Sequence, residues 1–325
     1  MIFTKIPKNF ASYQDQLIFG FDLEADFEQL DIAILRRDGS RIGGKRLYGV
    51  RQSQIDIAPY VRRAAEPAAP KKVNSADFFD TGESIDVIVE IGSVRTAIFT
   101  FIGARVGEEN NFALLASQIP HRVLAYDDFD TIGYVNKSGA QVRVLIEGRI
   151  GTDIVDQLEI VSADTGQLTI AVTPQDFGKS VRSMKVTIWF DGVEQESIEY
   201  EVREAMAGSE RVMWLNGHLS AECYTFPMRK SVLVAATRRR MATLWGREAA
   251  DVEHNGEVKL ISAYEPQAQL KALSGIVAAR KVWIVRGGDV EPVDMTTDRV
   301  LLTPGDGMGF IEVDLRAAQE GAELW

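Results

Sequence analysis

Hydrophobic and polar positions alternate with a period of two along most of this chain, the pattern of strands with one buried face. From Leu17, LIFGFDLEADFEQLDIAILRRDGSRIGGKRLYGV reads as strand, polar break, strand, turn and strand. Asp38-Gly39 is placed to close a hairpin there, because glycine accepts the positive φ of a tight turn. Residues 54–57 alternate cleanly and stop at Pro59, which has no N–H to give a ladder. Residues 64–76, AAEPAAPKKVNSA, carry no period and read as a linker. Strands are then expected over 85–91, 95–101, 112–115 and 121–126, ahead of the acidic run Asp127-Asp128-Phe129-Asp130.

Beyond that run the strands come at short, even intervals: 141–149, 157–161, 167–172, 185–190 and 193–202. Asp191-Gly192 between the last two is the strongest hairpin signal in the chain. Strands about every 8–12 residues over this length fit an immunoglobulin-like or fibronectin-like sandwich. The final third is mixed, with strands at 213–226, 231–236, 282–286, 290–295 and 309–315. One helix is expected over 266–277, where Pro266 suits a first turn and Leu270, Leu273, Ile276 and Val277 share a face. The fold class that results is mainly β. Consecutive β-sandwich modules span 1–125 and 126–205, and a β-rich module with the short helix spans 206–325.

Composition narrows the function. The 325 residues are 46% hydrophobic and 26% charged, ordinary for a globular chain. With 36 basic and 47 acidic residues the net charge is −11, which repels nucleic acid and anionic membranes. The single cysteine, Cys223, excludes an internal disulfide, and three histidines leave little for zinc. The start, MIFTKIPKNFASYQDQ, has no apolar leader run, and no stretch elsewhere approaches a membrane span. A cytoplasmic location is expected.

Candidate chemistry is sparse. Asp127, Asp128 and Asp130 offer a carboxylate cluster, but only the last two have calcium-loop spacing, so an acidic turn is expected. His121, His218 and His254 are scattered, and no GxSxG, HExxH or CxxC occurs. Gly305-Asp306-Gly307-Met308-Gly309 lacks the lysine and strand-to-helix setting of a phosphate loop. No catalytic, cofactor-binding or metal residue is therefore assigned. Trp189, Trp214, Trp245 and Trp283, with Tyr224 and Phe226, suit either a sandwich core or a sugar-stacking platform. The most unusual feature is 226–247, which carries Arg229, Lys230, Arg238, Arg239, Arg240 and Arg247 without one acid. Residues 232–236 read as a buried strand, so Arg238, Arg239, Arg240 and Trp245 mark where the chain meets a surface that an acidic protein face could engage.

Several segments resemble uncharacterised virion structural proteins of phages and prophages of Bacteroides and related bacteria. They are Arg46-Leu47-Tyr48-Gly49 with Ile55-Asp56-Ile57-Ala58-Pro59-Tyr60, Arg211 to Gly217 with Tyr224-Thr225-Phe226-Pro227, and Ala263-Tyr264-Glu265-Pro266 through to Trp283. The resemblance implies a tail- or baseplate-like assembly protein, cytoplasmic until it enters the virion. Its partners would be copies of itself or other virion proteins, with no nucleic acid, membrane or cofactor. The alternative reading is a carbohydrate-binding or adhesion-type β-sandwich protein.

Overall fold

The computed structural model describes residues 1–65, 78–79, 83–116, 121–287, 289–302 and 307–318. Of the expected linker at 64–76, Ala64 ends a helix and residues 66–76 lie outside the described residues, as do 303–306. The chain is β-rich throughout, as the alternation predicts, and its strands make several sheets.

The first elements are β1 (Ile2–Lys5), β2 (Ile18–Arg36), β3 (Arg41–Asp56), α1 (Ala58–Ala64), β4 (Phe78–Phe79), β5 (Ser84–Ile91), β6 (Val94–Arg95) and β7 (Phe99–Ile102). All of these strands except β4 form one six-stranded sheet, with β2 hydrogen-bonded to β1, β3 and β5. The hairpin at Asp38-Gly39 joins β2 to β3 as expected. Helix α1 is not foreseen by the alternation. Pro59 lies in its first turn, where a missing N–H costs nothing, so the residue that stops the strand also starts a helix. Ala58 and Val61 then pack into the core of this sheet with Phe19, Ile32 and Val87.

The second set is β8 (Phe112–Leu114), β9 (His121–Ala125), β10 (Asp130–Asn136), β11 (Val142–Ile150), β12 (Asp153–Ser162), β13 (Gly166–Val172), β14 (Ser183–Phe190) and β15 (Val193–Arg203). Two sheets, ordered β4-β13-β10-β8 and β12-β11-β14-β15-β9, enclose Ile132, Tyr134, Val144, Ile146, Ile170, Val186, Ile188 and Tyr200. This is an immunoglobulin-like sandwich. Strands β8 and β9 precede residue 126 yet pair inside it, β8 with β10 and β9 in parallel with β15. The Asp191-Gly192 hairpin forms with φ of 48° and 78°, so both central residues take the left-handed conformation that favours Asp or Asn followed by Gly.

The last set is β16 (Glu210–Leu215), β17 (Ala221–Phe226), β18 (Met228–Thr243), β19 (Gly246–Ile261), β20 (Glu265–Pro266), α2 (Gln267–Leu273), β21 (Val282–Arg286), β22 (Asp289–Met295), β23 (Met308–Gly309) and β24 (Glu312–Ala317). A seven-stranded sheet runs β17-β16-β21-β22-β24-β19-β18. Three expectations change here. The single strand expected over 213–226 is two strands folded about a turn at 216–220. Strand β19 was not anticipated at all. The expected helix 266–277 is one α-turn pair, Gln267–Leu273, continued as a 3₁₀ helix over Ser274–Ala278.

Period two sorts the faces of this sheet. Val212, Trp214, Val282 and Ile284 point to one side, where Leu270, Leu273 and Ile276 cover them. Met213, Leu215, Cys223, Trp283 and Val285 point to the other, where Phe129 joins them from the start of the sandwich.

Candidate interaction surface

Two features stand out once the elements are in place: a buried polar weld between modules and an exposed two-stranded arm.

The weld begins with the residues on the second face of β16 and β17. Arg211 lies there, fully enclosed, and donates from Nε to the Phe129 carbonyl (3.0 Å) and from Nη1 to Thr225 Oγ1 (2.9 Å). Its Nη2 sits 3.2 Å from Asp130 Oδ1, while Arg122 Nη1 of β9 donates to Asp130 Oδ2 at 2.7 Å. Burial alone would push the Asp130 carboxyl up, but the two guanidinium charges outweigh it and hold the group below the usual carboxylate range. Burial pushes the neighbouring Cys223 thiol and Tyr200 hydroxyl up, so both stay protonated. The expected acidic turn is thus divided. Asp130 is an internal ion-pair partner, whereas Asp127 accepts from Gln175 Nε2 at 2.8 Å. No cluster of three or more metal-ligating side chains occurs among the described residues.

The turn at 216–220 extends the weld to the first module. Gln14 donates to the Gly217 carbonyl (2.9 Å), Gln167 to that of His218 (3.1 Å), and Asn216 to that of Leu115 (2.7 Å). Leu219 is buried in the core of the N-terminal sheet beside Gly103 and Tyr13. Gly133 is required on β10, since a Cβ there would meet Ser220 Oγ at 1.9 Å. These contacts fix the turn against three segments distant in sequence.

The arm is different. Strand β24 pairs with β19 only over Glu257–Ile261, opposite the first residues of β18. From Val234 to Thr243 the β18–β19 hairpin continues with no third strand among the described residues, a reach of about 30 Å at about 3.3 Å per residue. Val232, Leu233 and Val234 are 41%, 55% and 63% exposed, which corrects the buried strand expected at 232–236: they lie where sheet cover runs out. Arg238, Arg239 and Arg240 follow, all exposed, and Leu244 and Trp245 form a two-residue tip at 99% and 92% exposure. Register sets Arg239 opposite Asp251 and Met241 opposite Glu248, so the returning strand carries acids alongside the arginines.

The remaining sequence candidates fall elsewhere. Trp214 is enclosed beneath α2, Trp283 lies in the weld, and Trp189 is partly covered by the Arg143 guanidinium 4.7 Å above its ring. The aromatics therefore do not assemble a sugar-stacking platform among the described residues. His121, His218 and His254 sit on β9, the 216–220 turn and the arm respectively. Leu244 was missed by sequence reasoning. Its signal was present: a large apolar residue beside tryptophan, between two strand-like runs.

No protein-family model matches this chain, and no curated protein does. Among solved structures it is similar to a chain described as "Biofilm associated protein - BSP domain", with 14% identity over 62% of this chain and a TM-score of 0.17. The match spans 29% of that chain, and at such a score the likeness bears on neither fold nor function.

Proposed function

We propose that this protein is a non-enzymatic structural protein that works by assembling, through protein–protein contacts made by the β18–β19 arm. The observation that carries this reading is the arm itself: a ribbon exposed at Val234, over 238–242 and over 244–250, with three successive arginines and a bare Leu244-Trp245 tip. A protein gains nothing in its own stability from holding a tryptophan in water, whereas tryptophan and arginine are the residues that anchor interfaces. Partners are copies of this chain or other acidic proteins, since a chain of charge −11 offers many acceptor faces and repels phosphate backbones and anionic lipid. Assembly in a virion tail or baseplate, as the sequence resemblance implies, fits a cytoplasmic protein of this kind.

Light scattering at low and high salt tests the reading. Self-association that weakens as salt rises is expected, because exposed charges more than about 10 Å apart are screened near 0.1 M. Replacing Arg238, Arg239 and Arg240 with Ser is expected to weaken it further while leaving the circular dichroism spectrum and melting temperature unchanged. A monomer in both salts, for wild type and variant alike, would overturn the proposal. For the virion context, neighbouring capsid, tail or terminase genes would support it, and sugar-utilisation genes would count against it.

A further inference from the structure

Two strands in the described structure end their sheets with long free edges of opposite charge. Strand β18 closes the seven-stranded sheet and carries Arg229, Lys230, Arg238, Arg239 and Arg240 with no acid. Strand β12 closes one sheet of the sandwich and carries Asp153, Asp156 and Glu159 with no base. Like charges directly opposite one another destabilise a strand pair, and pairing either edge with its own copy centred on Arg239 or on Asp156 would set such charges opposite one another. Each suits the other, and β12 is the one acid-rich strand among the described sheet ends.

Resting on the assembly reading above, we infer that the β18 edge of one copy adds in antiparallel fashion to the β12 edge of a second copy. One register satisfies charge and apolar positions together. With Arg239 opposite Asp156, Val234 falls opposite Val161, and Arg238 lies diagonal to Glu159 on the same face. Val161 is exposed, as Val234 is. Direct and diagonal neighbours across a pair are within reach of long side chains. The regular ladder covers Asp156–Ser162, because β12 carries an extra residue at Val155 that breaks its register with β11. Counted past that bulge, Arg240 falls beside the exposed Ile154 and Met241 beside Asp153, so the match of charge and apolar positions is confined to the regular ladder. Glu159 already accepts from Arg143 Nε at 2.6 Å, but it remains half exposed and a carboxylate has room for a second guanidinium.

The contact is heterologous: each copy offers one edge and receives the other. Repetition therefore yields a ring or a helical filament rather than a closed two-fold dimer.

Two charge-swapped variants test it, R238E/R239E/R240E and D153K/D156K/E159K. Each alone is expected to be a folded monomer in sedimentation velocity, because its own edges now repel. Mixed one to one they are expected to assemble, since each then presents the edge that the other lost. Val234→Cys and Val161→Cys chains, both carrying Cys223→Ser, are expected to cross-link only when mixed. If the β12 swap leaves association at the wild-type level, or the mixture stays monomeric, this inference is overturned while assembly through the arm still stands. If the wild type itself never associates, the assembly reading falls and takes this one with it.

Discussion

Asp130 shows how a residue's chemistry follows from its neighbours. In sequence it belongs to an acidic run, and only the fold puts it between Arg122 and Arg211 with no access to water. Removing one member of a buried ionic set leaves its partners charged and desolvated, at a cost of about 3–5 kcal/mol. Asp130→Asn is therefore expected to lower the urea midpoint strongly, whereas Asp127→Asn, on a carboxylate bonded to the exposed Gln175, is expected to change it little. The alternation signal could not separate these aspartates, because it reports burial only where apolar residues share the period. Arg238, Arg239 and Arg240 were legible for the opposite reason, as three adjacent charges with no acid nearby contradict the average of the chain.

At the scale of the element, hairpins with a glycine at the turn were readable and the arm was not. Asp38-Gly39 and Asp191-Gly192 announce themselves by residues that accept positive φ. Strand β19, GREAADVEHNGEVKLI, has charges, alanines and an Asn-Gly within it, so nothing in its local propensity favours a strand. It is extended because β18 pairs with it along its whole length and β24 along its last five residues. The 216–220 turn was hidden likewise, since its bonding groups come from three other segments. Within it, burial and then the charge of Arg105 hold the His218 imidazole below its ordinary range, and its Nδ1 is enclosed. The unfolded chain takes up a proton near pH 6.5, before the folded one does. The stability contributed by neutral His218 is thus complete above about pH 6.5 and is lost as pH falls through the folded-state value. A melting temperature that declines below about pH 6.5, with a shallower decline in His218→Asn, is expected from calorimetry.

For the whole molecule, mainly-β architecture and a sandwich in the middle were legible from patterning alone, since period two and turn residues agree there. What joins the modules was not, because the joints use one side chain from each of several distant segments. Leu219 is the clearest case, a residue of the C-terminal module enclosed by the N-terminal core. Trimming it to alanine removes buried methyl groups and leaves a void, at about 2–5 kcal/mol. Leu219→Ala is also expected to split the unfolding transition, with fluorescence of the C-terminal tryptophans and far-ultraviolet dichroism no longer coincident. Coincident transitions in the variant would show that the modules are held together without this side chain.

That placement of Leu219 has a consequence in time. A chain emerges from the ribosome from its N-terminus, and domains ordinarily fold in that order. Here the first sheet, complete in its own strands by Ile102, waits for a side chain more than a hundred residues downstream before its core is filled. Until then it stands with an apolar gap beside Tyr13 and Gly103, and the sandwich that follows is made in the interval. A module made after the sandwich is the one that closes the first, so a product truncated before Leu219 keeps an unfinished core.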